Sequence, residues 1–143
     1  MNKSEINRAA MIPFCVEDNK FYFLFMIPSD ENFGGKEWQI CKGAIDLEET
    51  ELDAALREGR EELGLKESNI KDVHKIGTFQ KMTVYACSIA NIDDFDIPQY
   101  ETAETKWLSE KEFNEIGKKW QKFIINITDL RLQKILKFNF KEK

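Results

Sequence analysis

Short continuous runs of hydrophobic residues dominate the first 45 residues of the chain. Residues 8–16 (RAAMIPFCV) precede the polar segment 17–20, and residues 21–27 (FYFLFMI) follow it. Two apolar runs around a turn predict a β-hairpin, and the uninterrupted second run predicts a strand buried on both faces. Pro13 in the first run predicts an edge or a bulge. After a glycine-containing loop, residues 38–41 (WQIC) predict a further short strand.

The second half of the chain shows one more strand pair and then changes to helical spacing. Residues 73–80 (VHKIGTFQ) and 83–90 (TVYACSIA) predict two strands joined around Lys81 and Met82. The Ser-x-x-Glu pattern that begins at Ser109 predicts the capped start of a short helix. The closing segment predicts a helix over roughly residues 124–138 that packs on the sheet. Its apolar positions at helical spacing are Ile125, Leu132, Ile135 and Leu136.

A second helical pattern lies in the middle of the chain. Thr50, followed three residues later by Asp53, predicts a helix start, and Gly64 predicts its end, so we expect a helix over Glu51–Leu63. Gly59 lies inside the apolar stripe of this helix and predicts a close approach to the sheet. The residues of the stripe are Leu52, Ala55, Leu56, Gly59 and Leu63.

The order of these elements defines the expected fold class. Strand, helix, strand, strand, helix is typical of an α/β protein with a mixed β-sheet between helices. A chain of 143 residues with 42% hydrophobic residues is long enough for one domain with a buried core. Because no change in composition marks a second domain, we expect a single domain over residues 1–143.

Charge is concentrated in one part of the sequence. The chain carries 26 acidic and 21 basic residues, a net charge of −5, and residues 43–65 alone hold eight acidic residues and two arginines. The rest of the chain is nearly balanced, so the acidity indicates a local cation site. The balance also argues against nonspecific binding to a phosphate backbone, which needs a basic surface.

Several classes of protein find no support in the sequence. No apolar run approaches the ~18 residues of a transmembrane helix, and the first ten residues lack a secretory pattern, so we expect a cytoplasmic protein that binds no membrane. Cys15, Cys41 and Cys87 lack metal-binding spacing and are expected to be reduced, structural thiols. His74 is the only histidine, which gives little support for a zinc site or a Ser-His-Asp triad.

Three carboxylates share one face of the central predicted helix. Glu58, Glu61 and Glu62 are spaced i, i+3, i+4, and like charges so placed repel one another. Such a group is either a solvated face or a cation site, and the helical spacing alone favours the solvated face. For a cation site, clustered carboxylate oxygens suit Mg²⁺ or Mn²⁺.

The sequence around these glutamates favours the cation site. Residues 43–65 match the pattern G-x5-E-x7-R-E-U-x-E-E-x-G-U, where U is a bulky aliphatic residue. The matching positions are Gly43, Glu49, Arg57, Glu58, Glu61, Glu62, Gly64 and Leu65. This segment resembles the Nudix box, the signature of the Nudix hydrolases. One position departs from the pattern, because Gly59 stands where an aliphatic residue is expected, and the departure concerns helix packing more than chemistry.

The resemblance implies a fold and a set of metal ligands. The implied fold is the Nudix-like α/β/α sandwich, and the implied activity is that of a pyrophosphohydrolase that uses Mg²⁺ (or Mn²⁺). Glu58 and Glu62 would be the principal metal ligands, with Glu61 assisting. A backbone carbonyl at Lys42 or Gly43 would be a further ligand.

The resemblance also implies residues that orient the carboxylates or move a proton. Arg57 would lie near Glu49 if the intervening loop folds back, and the two would orient the carboxylates. The general base is either a glutamate of the box or a glutamate in the loop before a strand that begins at Trp107, and the loop glutamate is alternatively a further metal ligand. Glu101 is the first candidate in that loop and Glu104 the second, and both are also compatible with plain surface carboxylates.

The implied reaction is attack of water on phosphorus in a substrate that links a nucleoside diphosphate to another moiety. Dinucleoside polyphosphates, nucleoside triphosphates and capped or 5′-triphosphorylated RNA are the substrates we expect, and ADP-ribose and other nucleotide sugars are not excluded. Trp38, Lys36 and Lys42 are the candidates for substrate binding. Specificity is expected from three loops: residues 28–37, 80–83 and 91–104.

Two alternatives accompany this prediction. A noncatalytic Nudix-like nucleotide-binding module would keep the fold and lose glutamates, and a housekeeping scaffold would carry the acidic helix by accident. For the assembly, a homodimer is one possibility. Near the end of the chain, Lys118, Lys119 and Lys122 surround Trp120. This basic and aromatic group could contact a phosphate or a base, but the solvated end of a helix is the favoured interpretation.

Overall fold

A computed structural model of the chain describes residues 6–30, 32 and 34–137. Within these residues six strands form one sheet. The strands are β1 (Arg8–Glu17), β2 (Lys20–Pro28), β3 (Cys41–Ala44), β4 (Ile70–Phe79), β5 (Met82–Ile89) and β6 (Thr102–Ser109). The helices are α1 (Glu51–Leu63), α2 (Glu110–Ile116) and α3 (Lys122–Ile135), and single 3₁₀ turns lie at Glu67–Asn69 and Lys119–Gln121.

The sheet is mixed, as expected, with β1 at its centre. Its order is β4-β5-β1-β2-β6; β1 runs parallel to β5 and antiparallel to β2, and β3 pairs antiparallel with β1. The prediction that Pro13 marks an edge is wrong. Along one side of β1 the partner changes from β3, whose register ends at Met11, to β2, whose register begins at Phe14. Pro13 lies in this gap, where a missing N–H is tolerated within a central strand.

A tight two-residue turn connects the two strands in each hairpin. Asp18 and Asn19 have φ of 53° and 63°, in the turn expected between β1 and β2, and Gln80 and Lys81 have φ of 49° and 67° between β4 and β5. Two positive φ angles in succession are typical of the type I′ turn, which matches the twist of the strands. The second turn lies one residue earlier than predicted.

Both edge strands begin earlier than the hydrophobic pattern predicted. β4 begins at Ile70 and β6 at Thr102, three and five residues before the starts expected at 73 and Trp107. Most residues between the observed and the expected starts are polar and exposed, among them Lys71 and Asp72 in β4 and Glu104 to Lys106 in β6. Edge strands have one free side and carry polar residues readily, so such segments resemble loops in the sequence.

Alternation along β1 divides the core into two layers. Ala9 and Met11 face α1, whereas Ala10, Ile12 and Phe14 face the helices α2 and α3. The sheet therefore lies between α1 on one face and α2 and α3 on the other. This is the α/β/α sandwich that was expected, and β2 is buried on both faces as predicted.

Helix α1 has the predicted bounds and caps. The Oγ1 atom of Thr50 accepts a hydrogen bond from the N–H of Asp53 at 3.0 Å, and Gly64 ends the helix with φ of +73°. Gly59 packs tightly, because a Cβ atom there would lie 2.9 Å from Cδ2 of Leu65 and 3.5 Å from Cγ of Met11. The expected close approach of helix to sheet is confirmed.

The C-terminal helices agree in part with the prediction. Ser109 and Glu112 form the expected capping box, with reciprocal hydrogen bonds of 3.2 and 2.9 Å. In α3, Ile125 and Leu132 are buried as predicted, but Ile135 is 44% exposed. The helix ends at this residue, and Leu136 instead packs against the core; residue 138, the predicted end, lies outside the described residues. None of the described helices has the length and apolar character needed to cross a lipid bilayer.

Candidate active site

The acidic face of α1 lies against the end of β3. Glu58 is only 9% exposed, and its carboxylate packs directly on Gly43, where an added Cβ atom would lie 2.0 Å from Oε2. No residue with a side chain fits at position 43 unless Glu58 moves. This contact explains why the first position of the Nudix-box pattern is a glycine: only a residue without a side chain lets the backbone of β3 approach the carboxylate.

Arg57 connects the loop before α1 to the carboxylates of the helix. Its Nε and Nη2 atoms donate to the two carboxylate oxygens of Glu49 at 2.7 and 3.0 Å, and Nη2 also donates to the carbonyl of Ala44 at 2.9 Å. Its Nη1 atom lies 3.0 Å from Oε2 of Glu58 and 3.5 Å from Oε1 of Glu61. The loop folds back as expected. Hydrogen bonds from Arg57 lower the pKa of Glu49 to about 2, so that pair stays ionised at neutral pH.

Glu58 and Glu62 form a crowded pair of carboxylates. Burial raises the pKa of Glu58 above its ordinary value, although the charge of Arg57 opposes this effect. Burial, followed by the charge of Glu58, raises the pKa of Glu62 to about 8, and the backbone N–H of Lys42 donates to Oε1 of Glu62 at 3.2 Å. In the absence of a cation, the pair therefore retains a proton near neutral pH.

This donor set fits a divalent cation. Among the described residues, no three carboxylate, imidazole or thiolate groups are arranged around one point, and Glu61 is directed toward Arg57. Mg²⁺ usually takes one or two protein carboxylates and completes its shell with water and substrate phosphates. Glu58 and Glu62 supply two such carboxylates, and burial raises the pKa of each.

A cavity of about 630 Å³ opens beside this pair, within the size range of small-molecule sites. Glu62, Lys42 and Glu101, which are predicted site residues, all line it. The complete lining among the described residues is Met26, Pro28, Ser29, Asp30, Gly34, Gln39, Ile40, Lys42, Glu62, Tyr100 and Glu101.

Hydrogen bonds to the end of α1 position Glu101. The last carbonyls of a helix have no partner within it. Here the carbonyl of Glu61 accepts from the N–H of Gln99 at 2.9 Å, and that of Glu62 accepts from Oγ1 of Thr102 at 2.8 Å. Glu101 lies between these two contacts and reaches the cavity. Glu104, in contrast, lies within β6 opposite Ile27, exposed and outside the lining.

A family comparison matches this arrangement. The sequence model of the NUDIX domain family matches residues 6–126. The chain belongs to the Nudix family. Its enzyme class is that of the Nudix pyrophosphohydrolases, which act on phosphoanhydride bonds.

Solved structures share the Nudix fold at low sequence identity. A C. elegans Ap4A hydrolase in a binary complex has a TM-score of 0.71 and 19% identity, over 89% of this chain and 97% of that chain. The M. smegmatis Nudix hydrolase RenU has a TM-score of 0.70 and 18% identity, over 92% and 87%. The Nudix domain of Shewanella oneidensis NrtR, complexed with ADP ribose, has a TM-score of 0.69 and 15% identity, over 87% and 86%. No curated protein sequence matches the chain.

Two predicted substrate contacts of this Nudix domain lie outside the cavity lining. Trp38 packs against the core, with Nζ of Lys106 5.8 Å from its ring centroid, and Lys36 is exposed. Residues 80–83, one of the predicted specificity loops, form the turn after β4 and the first two residues of β5, and they do not line the cavity. A role in substrate binding for Trp38 and Lys36 stays a prediction.

The cavity includes residues that sequence reasoning missed. Tyr100 is 85% exposed at the cavity, and Asp30 lies on its wall. Gln39 is buried, and its Nε2 atom donates to the carbonyls of Gly34 and Glu37 at 2.7 and 3.1 Å, which holds the glycine loop in place. Tyr100 and Asp30 fall within two of the predicted specificity loops, but no local pattern distinguishes them there. The position of Gln39 beside Trp38 in a short strand was the only signal for it.

Proposed function

We propose that this Nudix domain is a metal-dependent pyrophosphohydrolase that cleaves a nucleoside diphosphate linked to another moiety. One observation carries the proposal: the carboxylate of Glu62, which the buried carboxylate of Glu58 crowds, lies on the wall of a cavity of ligand size. Substrates of this type are dinucleoside polyphosphates, nucleoside triphosphates and capped or 5′-triphosphorylated RNA. Products would be a nucleoside monophosphate and a second phosphorylated fragment.

Glu58 and Glu62 would hold Mg²⁺ or Mn²⁺, with Glu61 and a backbone carbonyl of Lys42 or Gly43 as further ligands. A cation bound there would neutralise phosphoryl oxygens and lower the pKa of water. Arg57 would keep the carboxylates of Glu58 and Glu61 in position, because it is itself fixed by Glu49 and by the loop carbonyl of Ala44.

The general base would be a glutamate that faces the cavity. Glu101 is favoured over Glu104, because Glu101 lines the cavity together with Glu62 and Glu104 does not. Glu58 and Glu61 are the box alternatives. A base here would accept a proton from the attacking water, and hydrogen-bond reach to that water is the requirement.

The solved relatives support a nucleotide-type substrate for this chain. One is an Ap4A hydrolase, and another is a Nudix domain complexed with ADP ribose. A cytoplasmic location, a single domain over residues 1–143, a homodimer and binding to RNA 5′ ends stay predictions.

The decisive experiment is chromatographic analysis of products after incubation with Mg²⁺ or Mn²⁺. The panel contains nucleoside triphosphates, dinucleoside polyphosphates, ADP-ribose and 5′-triphosphorylated RNA. We expect metal-dependent cleavage by the wild-type protein and a loss of kcat of at least about 100-fold in Glu62→Gln, because an unneutralised phosphoanhydride resists water.

Matched variants locate the base. Glu101→Gln is expected to lower kcat by about 10²-fold or more, whereas Glu104→Gln, on the next exposed glutamate, should keep wild-type kinetics. Equal activity in Glu101→Gln and the wild type would assign the base to the box. Full activity in Glu62→Gln, or turnover independent of divalent ions, would refute the metal-dependent mechanism.

A further inference from the structure

The connection between α2 and α3 contacts the stretch of chain that forms one wall of the cavity. We call residues 117–121 the connecting segment. Gly117 forms a parallel β-bridge with Trp38, and the N–H of Lys118 donates to the carbonyl of Trp38 at 2.8 Å. The Nζ atom of Lys118 donates to the carbonyl of Gly34 at 2.7 Å. Because Gly34 lines the cavity, the connecting segment holds part of the cavity wall.

The side chain of Gln121 replaces the next bond of this short parallel ladder. In a parallel pair, a residue whose N–H bonds to one residue of the partner offers its carbonyl to the N–H two residues further along. The N–H of Ile40 would therefore bond to the carbonyl of Lys118. That carbonyl accepts from the N–H of Gln121 at 3.0 Å instead, within the 3₁₀ turn. The N–H of Ile40 donates to Oε1 of Gln121 at 2.7 Å.

A glutamine at position 121 is explained by this one hydrogen bond. Gln121 is fully buried, and its Nε2 atom has no partner among the described residues. A buried amide group without a partner destabilises the folded state. Ile124 and Ile125, the next core residues along the chain, are apolar and equally buried. An apolar residue would suit position 121 as well, except that it could not accept from the N–H of Ile40.

The hydrogen bond of Gln121 lies close to a candidate metal ligand. Lys42 follows Ile40 by two residues, about 7 Å along a strand. The N–H of Lys42 donates to Oε1 of Glu62 at 3.2 Å. Ile40, Lys42 and Glu62 all line the cavity. A displacement of the main chain at Ile40 would therefore move the N–H that orients the carboxylate of Glu62.

We propose that Gln121 is a positioning residue for the carboxylate of Glu62. Gln121 fixes the main chain at Ile40, and the same strand holds Glu62 through the N–H of Lys42. The inference rests on the proposed function, because it concerns how the same site binds a divalent cation. Gln121 is not part of the cavity lining among the described residues, so it acts only through the main chain of β3. Loss of a group that orients a metal ligand commonly lowers metal affinity or activity by about 10- to 100-fold.

Mn²⁺ alone is the direct probe, measured with the full chain by the electron paramagnetic resonance of the unbound ion. Gln121→Met fills a similar volume without an acceptor and should weaken Mn²⁺ binding about tenfold. Leu132→Val is the matched control, because it removes a methylene group from the same core about three turns along α3. It lowers stability without touching the bond to Ile40 and should bind Mn²⁺ as the wild type does.

Hydrogen exchange in the wild-type protein tests the same coupling without a variant. Coupling between two sites is reciprocal, so a bond that strengthens metal binding is itself strengthened by the metal. Mg²⁺ should therefore slow the exchange of the Ile40 amide about tenfold. The amide of Lys137, which is hydrogen-bonded at the end of α3, is the reference and should exchange equally with and without Mg²⁺. This measurement decides the question if Gln121→Met does not fold.

Kinetics separate a positioning role from a general loss of activity. In hydrolysis assays, Gln121→Met should raise the Mg²⁺ concentration that gives half-maximal activity by about tenfold. At saturating Mg²⁺ its kcat should stay within about threefold of the wild-type value, because the metal then restores the position of Glu62.

The two proposals fail separately. Equal Mn²⁺ affinity in Gln121→Met and Leu132→Val, or exchange of the Ile40 amide that does not respond to Mg²⁺, would overturn the role of Gln121 even if the protein hydrolyses phosphoanhydrides. Mn²⁺ binding that weakens only in Gln121→Met, in a protein that hydrolyses no member of the substrate panel, would support the role of Gln121 and overturn the proposed function.

Discussion

At the scale of single residues, the candidate site depends on a glycine at position 43, where no side chain occupies the space. Gly43 lets the carboxylate of Glu58 lie against the backbone of β3, with no room for a Cβ atom. The glycine is required here for a close approach to a neighbouring side chain. Its effect on chemistry is indirect, because it acts through the position of Glu58.

Substitution of Gly43 tests this contact. Gly43→Ala should displace the Glu58 carboxylate by about 1 Å or more and lower kcat about 100-fold, since misplacement on that scale is costly in catalysis. Steady-state kinetics measure the loss, and a circular dichroism melt checks the fold. Ala44→Ser, at the adjacent exposed residue, is the control. Wild-type kcat in Gly43→Ala would show that Glu58 needs no such support.

The raised pKa of Glu62 predicts the pH dependence of stability. Between the ordinary glutamate pKa and about 8, the folded state holds a proton that the unfolded state has released. The free energy of unfolding should therefore fall as pH rises from 5 to 8, by at most about 1.4 kcal/mol per pH unit from this group. Urea denaturation in EDTA measures the slope.

Two variants isolate the contribution of Glu62 to that slope. Glu62→Gln removes the titrating group and should give a flatter dependence with higher stability at pH 8. Glu115→Gln, an exposed glutamate on α2, should keep the wild-type slope. Identical slopes in all three proteins would show that Glu62 titrates normally.

At the scale of elements, the packing of α1 explains the departure from the family pattern. Leu65 and Met11 fill the space next to Gly59, where the Nudix box has an aliphatic residue. The apolar volume at this point comes from Leu65, just past the helix end, and from β1. The departure therefore alters how α1 contacts the sheet and leaves its carboxylate face as the pattern predicts.

An aliphatic side chain at position 59 should destabilise the domain. Gly59→Val would overpack the contact with Leu65 and cost about 1–3 kcal/mol in the free energy of unfolding, measured by urea denaturation. Arg60→Val, one residue along on the exposed side, tests helix propensity alone and should cost about 0.5 kcal/mol. Leu65→Ala in the Gly59→Val background should recover part of the loss, and additive costs would contradict direct contact.

At the scale of the whole molecule, three separate segments form the cavity. β3 and α1 supply Lys42 and the carboxylate of Glu62, the segment before β6 supplies Glu101, and one wall consists of Pro28, Ser29, Asp30, Gly34 and Gln39. Hydrogen bonds to the final carbonyls of α1 connect the first and second of these segments. The same helix thus presents the candidate ligands and positions the candidate base.

Loss of one of these hydrogen bonds should affect both stability and activity. Thr102→Val removes the bond to the Glu62 carbonyl and should cost about 1 kcal/mol in the free energy of unfolding. It should also lower kcat/KM by loosening Glu101. Thr105→Val, at an exposed position of the same strand, is the control. A drop in stability without any change in kinetics would show that the hydrogen bond of Thr102 stabilises the fold but is not needed for the function of Glu101.

Local patterns in the sequence determined the central helix and its chemistry. The bounds of α1, its caps, the reach of Arg57 to Glu61 and the resemblance to the Nudix box all depend on residues a few positions apart, whose geometry a helix defines. The sandwich fold followed from the order of the elements. The starts of the edge strands β4 and β6 were predicted less accurately, because their first residues are mostly polar and show no alternation of hydrophobic and polar positions.

Only the tertiary structure decided which distant residues share the cavity. Glu101 and Glu104 look alike in the sequence, and the path of the chain past the end of α1 brings the first to Glu62 and leaves the second on β6. The contact of Lys118 with the carbonyl of Gly34 likewise joins residues 84 positions apart in the chain. Distances between residues far apart in the chain are set by packing and pairing of whole elements, and no local spacing encodes them.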